Sequence, residues 1–274
     1  MQNQSDVMND SIKWWLGYWY ADFEKNKDLL EVLNPEAESR LDAELIEYLS
    51  EHPGGPGHDF EHHDRVRTFT TIIGTANNES VYNIQACRYA AMLHDHLKVV
   101  GKGGGGSHNW PELRILTKEL MNNAKIDSRI TSDVTRIIEE HETNDPSKRS
   151  RVGNILYEGD TVDITFLPRC FDVAQSLPKF YPTMSRIIED YTSYQIDPSK
   201  PVTDAGKKMF KMGKEWTLPT LENLKSKLGN TNLENYFQFL NTNWRKNANR
   251  TPAVLSEALE AYEENIPHYE MKLI

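Results

Sequence analysis

Apolar residues recur along this chain at intervals of three and four, the spacing that lines one face of an α-helix. No stretch sustains the period-two alternation of a half-buried strand. From Pro35 to Ser50 the apolar face is Leu41, Leu45 and Leu49, and the Pro and Gly residues between His52 and Gly57 then break the pattern. A second face runs His62, Val66, Phe69, Ile73. After the turn and cap residues Asn77, Asn78 and Ser80, a third runs Ile84, Cys87, Ala91, His94. Pro111 starts a helix with Leu113, Leu116 and Leu120 on one side, and Ser132 reads as the cap of the next, whose face is Val134, Ile137, Ile138 and His141. Leu156, Asp160, Asp163 and Leu167 follow at four, three and four. Beyond them Phe171 to Tyr194 is aromatic-rich and Pro198 to Lys208 reads as a connection. Further helices are predicted around Leu221, Leu224 and Leu228, around Leu233, Phe237, Leu240 and Trp244, and around Leu255 and Leu259 after Thr251 and Pro252. The pattern predicts an all-α fold.

The chemistry lies in what interrupts these apolar faces. His62, His94, His141, Asp160 and Asp163 all continue stripes that point inward, and Asp95 follows His94 directly. Burying an imidazole or a carboxylate costs several kcal/mol unless it is hydrogen-bonded, paired or bound to a metal. One inward histidine is commonly a satisfied core residue. Four helices that each turn a ligand-type side chain inward point to a shared site.

His62 with Arg65 and Val66, then His94-Asp95 with Lys98, then His141, then Asp160 in EGDTVD together resemble the signature of the HD superfamily of metal-dependent phosphohydrolases, over about Gly57 to Leu167. The resemblance implies an HD-domain-like helical bundle with extra N- and C-terminal helices. It divides the chain into an N-terminal helical extension at 1–56, a metal-binding catalytic core at 57–170 and a C-terminal helical extension at 171–274. It implies a divalent cation (Mn, Fe, Co, Ni, Zn or Mg) on His62, His94, Asp95 and Asp160, and a nucleophile that is metal-activated hydroxide. The segment VVGKGGGGSHNWPE after Lys98 reads by itself as a flexible linker. It also resembles the Gly-rich loop that ends in a ligand histidine in nucleotidyl-removing members of the superfamily, which makes His108 a candidate ligand. With His108 and His141 the set could take a second ion.

The same resemblance assigns further roles. Lys98 would stabilise charge on the phosphoryl group and, with Lys102, neutralise a bound phosphate. His58 and Glu61 are candidates for acid, base or orienting group, with Asp95 counted among the catalytic residues. Arg65, one turn from His62, is either an ion-pair partner or a substrate contact, and Asp59 and Asp163 are candidates to hold ligand histidines. Lys148, Arg149 and Arg151 read as a solvated face, with a phosphate-holding role as the sharper alternative.

A net charge of −10 argues against a sequence-independent hold on long nucleic acid, but a small phosphorylated substrate such as a nucleotide needs no basic surface. Two cysteines, Cys87 and Cys170, suggest neither a disulfide framework nor a thiolate zinc site, and a reducing, cytoplasmic compartment is expected. No secretory signal pattern is present, and no apolar run approaches the roughly 18 residues of a membrane span. The aromatics of Ile12 to Phe23 and the C-terminal helices are expected to pack on the bundle or to form a homo-oligomer contact. Three functions remain open. One is hydrolysis of a phosphoester or phosphoanhydride bond. The alternative is a mixed-valence di-iron oxygenase of the same superfamily, and the third is a non-catalytic, metal-stapled sensing module.

Overall fold

The computed structural model describes residues 33–52, 60–96, 110–143, 145–165, 200–211 and 213–214. Outside them lie the aromatic segment at 12–23, the Gly-rich loop, the aromatic-rich stretch at 171–194 and the helices expected beyond residue 214. The described elements are α1 (Pro35–Glu51), α2 (Phe60–Ala76), α3 (Val81–Leu93), α4 (Trp110–Asn123), α5 (Ser128–His141), a 3₁₀ turn (Pro146–Lys148) and α6 (Arg151–Ile164). Residues 204–211 are helical as well, and no strand occurs among the described residues. The all-α expectation holds. All these helices belong to one compact unit, Leu29–Thr165 with Pro198–Lys211. No described helix is long and apolar enough to cross a membrane.

Local chemistry sets the helix starts. Asn34 accepts the Ala37 N–H at 3.0 Å with Pro35 in the first turn of α1, and Ser80 accepts the Asn83 N–H at 3.2 Å to start α3. Asn78 turns the chain between α2 and α3 with φ of 54°, a left-handed position that asparagine tolerates. Ser132 does not cap α5. The helix begins a turn earlier, at Ser128, because the Asp127 carboxylate accepts the Arg129 N–H at 2.8 Å, and Ser132 lies inside the helix. The stretch read as a connection, 198–208, turns helical at Asp204. Thr203 Oγ1 accepts the Gly206 N–H at 3.0 Å, and the buried Glu158 carboxylate of α6 accepts the N–H groups of Val202 and Thr203 together with the Thr203 hydroxyl.

α2 is the central helix, packed on α3 and on α6; α3 also packs on α5, α5 on α6, and α1 and α4 complete the layer. The faces read from the spacing are the faces that are buried: Leu41 and Leu45, then Val66, Phe69 and Ile73, then Ile84, Cys87 and Ala91, then Val134, Ile137 and Ile138. Each large aliphatic or Phe side chain so buried contributes about 1.5–3 kcal/mol. α2 and α6 meet almost backbone to backbone at Gly159. A Cβ there would collide with Thr70 Oγ1 and come within 3.2 Å of the Thr70 nitrogen. That close crossing brings Asp160 and Asp163 against His62.

A charged network ties α1 to α2 and α3. Glu38 accepts from Arg88 Nε at 2.6 Å, from Arg88 Nη2 and from Gln85 Nε2 at 2.8 Å, and Arg88 Nη1 donates to Thr71 Oγ1 at 2.7 Å. Arg67 spans Asp42 at 2.8 Å and Asp64. Burial by itself would raise the Glu38 carboxyl, but the Arg88 hydrogen bonds and charge hold it below its ordinary value.

Candidate metal centre

His62 lies in the first turns of α2, His94 caps the C-terminus of α3 with Asp95 next to it, His141 ends α5, and Asp160 lies on α6. Their polar ends converge. His62 Nε2 lies 3.2 Å from His94 Nε2, 3.6 Å from Asp95 Oδ2 and 3.6 Å from Asp160 Oδ1, and His94 Nε2 lies 3.6 and 3.7 Å from the same two oxygens. The side chains of His62, His94 and Asp95 are 0% exposed and that of Asp160 is 21% exposed, so solvent reaches the cluster at Asp160.

The far side of each ring fixes what the near side presents. His62 Nδ1 donates to Asp163 Oδ2 at 2.8 Å, His94 Nδ1 donates to the Ala91 carbonyl at 2.8 Å, and His141 Nδ1 donates to the Ile138 carbonyl. Carbonyls and carboxylates only accept, so each neutral imidazole keeps its lone pair on Nε2. Two such nitrogens 3.2 Å apart cannot hydrogen-bond to each other. A proton or a cation must lie between them. The surrounding charge favours either: burial alone would lower the His94 imidazole, but the Asp95 and Asp160 carboxylates beside it hold it above its ordinary value. Against its own burial, Asp160 is held well below the usual carboxylate range by His94 and then His62.

The donor set fits a divalent ion. Nitrogen and oxygen ligands about 2.0–2.2 Å from one tetrahedral centre stand roughly 3.3–3.6 Å from each other, close to the spacing found here. Two groups of three can be drawn, His62 with His94 and Asp160, and His94 with Asp95 and His141; within each group the ligand atoms lie within 4.8 Å of one another. His141 is buried against His94, with ring centroids 5.2 Å apart, and burial followed by the His94 charge pushes its imidazole down to about 4. It is therefore neutral near pH 7, the form that binds metal.

Asp163 holds the orienting position anticipated for it. Its second oxygen accepts from Arg65 Nε at 2.6 Å, and Arg65 Nη2 reaches the first at 3.2 Å. Despite burial, Asp163 is kept well below the usual carboxylate range, chiefly by Arg65 and then His62. Arg65, for which both an ion pair and a substrate contact were open, is 2% exposed and has its guanidinium on Asp163. His58, Asp59, Lys98, Lys102 and His108 lie outside the described residues, and Glu61 lies on α2 with its side chain outside them.

Three features escape a reading by periodicity. His63 is buried beside His62 and His94, with ring centroids 5.5 and 5.1 Å away, and burial followed by the charge of His94 pushes it well below its ordinary value. Neighbouring positions on a helix face different ways, so the stripe through His62 gives no sign of it. Glu158 supports the helix at 204–211 rather than the metal site. Arg149, expected on a solvated face, is 6% exposed, with its guanidinium carbon 3.5 Å from the centre of the Tyr157 ring. Comparison of the chain with protein-family models, with curated proteins and with solved structures finds no match.

Proposed function

We propose that this chain is a metal-dependent phosphohydrolase of the HD superfamily that cleaves a phosphoester or phosphoanhydride bond of a nucleotide or another small phosphorylated molecule. The observation that carries the reading is the meeting of two Nε2 lone pairs and two carboxylates from three separate helices, in the chain order His62, His94-Asp95, Asp160. A divalent ion held by these four side chains would polarise a phosphoryl oxygen and lower the pKa of a bound water.

The protein's part is orientation. Asp163 and the Ala91 carbonyl hold the His62 and His94 rings in the ligating tautomer, and Arg65 keeps Asp163 ionised and in place. Asp160 stands at the exposed edge, where a substrate can approach. In this reading Lys98, three residues after Asp95, keeps the role of stabilising phosphoryl charge. A second reading, the di-iron oxygenase, draws on the group formed by His94, Asp95 and His141, which could hold a second ion.

The test is product release from nucleoside mono-, di- and triphosphates, cyclic nucleotides and a generic phosphodiester, with manganese added, set against Asp95→Ala. Hydrolysis that disappears in the variant supports the proposal and names the bond. Metal-loaded protein that hydrolyses none of these would overturn it; bound iron with oxygen uptake would then favour the oxygenase. If Asp95→Ala left every activity unchanged and only lowered the melting temperature, the metal would be a staple.

A further inference from the structure

Among the described residues, the other buried arginine meets a carboxylate, as do the half-buried Arg67 and Arg88. Arg65 pairs with Asp163, Arg67 with Asp42 and Asp64, and Arg88 with Glu38. Arg149 has no carboxylate partner among them. Its Nε and Nη1 are buried without a hydrogen-bond partner, and its guanidinium carbon lies over the face of Tyr157. Stacking on a ring returns only part of the cost of burying a guanidinium, so this cation is held ready for an anion. A guanidinium held over a ring still has its N–H groups to give to acceptors, and phosphate oxygens match their fork geometry.

The placement connects it to the metal centre. Tyr157 precedes Asp160 by three residues on α6, so the two are neighbours on one helix face, and Asp160 is the edge through which solvent reaches the cluster. Asn154, three residues before Tyr157, carries a buried amide oxygen that also lacks a partner; turned over, the amide would present NH₂ there. The loop that holds Arg149 is braced at both ends. Asp145 accepts the Ser147 N–H at 3.0 Å, while Ser150 caps α6 at 3.1 Å and its N–H donates to Glu140 at 3.0 Å.

We propose that Arg149, held over the ring of Tyr157, is the anion-binding arm of this site and takes a phosphate group of the substrate beside the metal ligands. The assignment rests on the phosphohydrolase reading for its purpose, yet phosphate binding tests it separately. The full chain in the presence of manganese is titrated with inorganic phosphate, following calorimetry and the thermal unfolding midpoint, for wild type, Arg149→Met, Arg149→Lys and Asp95→Ala. Phosphate should raise the wild-type midpoint in a concentration-dependent way. In Arg149→Met, phosphate affinity should fall roughly tenfold to a hundredfold while manganese affinity stays unchanged, and Arg149→Lys should recover part of the loss.

If a phosphoester is hydrolysed, Arg149→Met should raise KM far more than it lowers kcat, as expected for a group that binds ground and transition states alike. If nothing is hydrolysed but the phosphate results hold, the phosphohydrolase reading fails and the anion arm stands. Equal phosphate affinity in wild type and Arg149→Met overturns the proposal, as does binding lost only in Asp95→Ala, which would put phosphate on the metal alone. Failure of both Arg149 variants to fold would mark a structural arginine and overturn it as well.

Discussion

α2 and α3 carry two buried polar clusters with opposite electrostatic designs. Around Glu38, donors meet acceptors: Arg88 and Gln85 satisfy the carboxylate, Thr71 takes a further N–H of Arg88, and Arg67 is divided between Asp42 and Asp64. Around His62 and His94 the protein turns acceptors toward acceptors, two ring nitrogens and two carboxylates within 3.2 to 3.7 Å. The first cluster is closed, because each of its charges meets an opposite charge within the protein. The second is left for a proton or a cation to close. Burial alone does not separate a structural network from a binding site; the sign of what converges does.

That contrast can be broken from either side. The largest effect is expected at the open cluster. Asp95→Ala should abolish manganese binding and lower phosphoester hydrolysis roughly a thousandfold or more, because a cation in such a site supplies several kcal/mol of stabilisation. The unfolding midpoint of the metal-free protein should not fall, since the variant removes one of the crowded acceptors. Calorimetry, product assays and thermal melts read the three outcomes, and wild-type metal affinity in the variant would refute the assignment.

At the closed cluster the pattern should reverse. Glu38→Ala leaves Arg88 buried without its anion and should cost about 3–5 kcal/mol in urea unfolding, with manganese affinity unchanged in the folded protein. Next in size is Asp163→Asn, which touches both designs. It removes the carboxylate that orients His62 and anchors Arg65, and metal affinity should drop roughly 10–100-fold with the ligand set intact. A metal affinity equal to wild type would show that His62 needs no such hold.

The smallest effect is a pH dependence of the closed cluster. Because Glu38 titrates below its ordinary 4.5 when folded, its contribution to stability is full above that pH and is lost as pH falls through the lower folded value. The stability gap between wild type and Glu38→Gln should therefore be constant near neutrality and narrow only below about pH 4.5. A gap that narrows already between about pH 6 and 5 would assign the dependence to another group.

Much of the fold and of the candidate site is legible in the sequence. The intervals of three and four through His62, His94, His141, Asp160 and Asp163 place each on an inward face, because a helix repeats its exposure every 3.6 residues whatever packs against it. Local competition is harder to read: Asp127 and Ser132 are both good caps, and which one starts the helix depends on a hydrogen bond that the spacing does not encode. Glu158 and Arg149 are harder still. Each looks like an ordinary surface charge in sequence, and each is buried by a segment distant in the chain or folded back upon it.

That α1 to α6 form, and that His62, His94, His141 and Asp163 turn inward, follows from the sequence, since propensity, caps and period are properties of neighbouring residues. Which of those residues meet is a matter of tertiary packing. His62 and Asp163 are 101 residues apart and Arg65 and Asp163 are 98 apart, and they join because α2 and α6 cross closely enough at Gly159 for hydrogen bonds to form. A helix face is set by a repeat of a few residues, whereas a ligand distance of 3.2 to 3.7 Å is set by the crossing of whole helices.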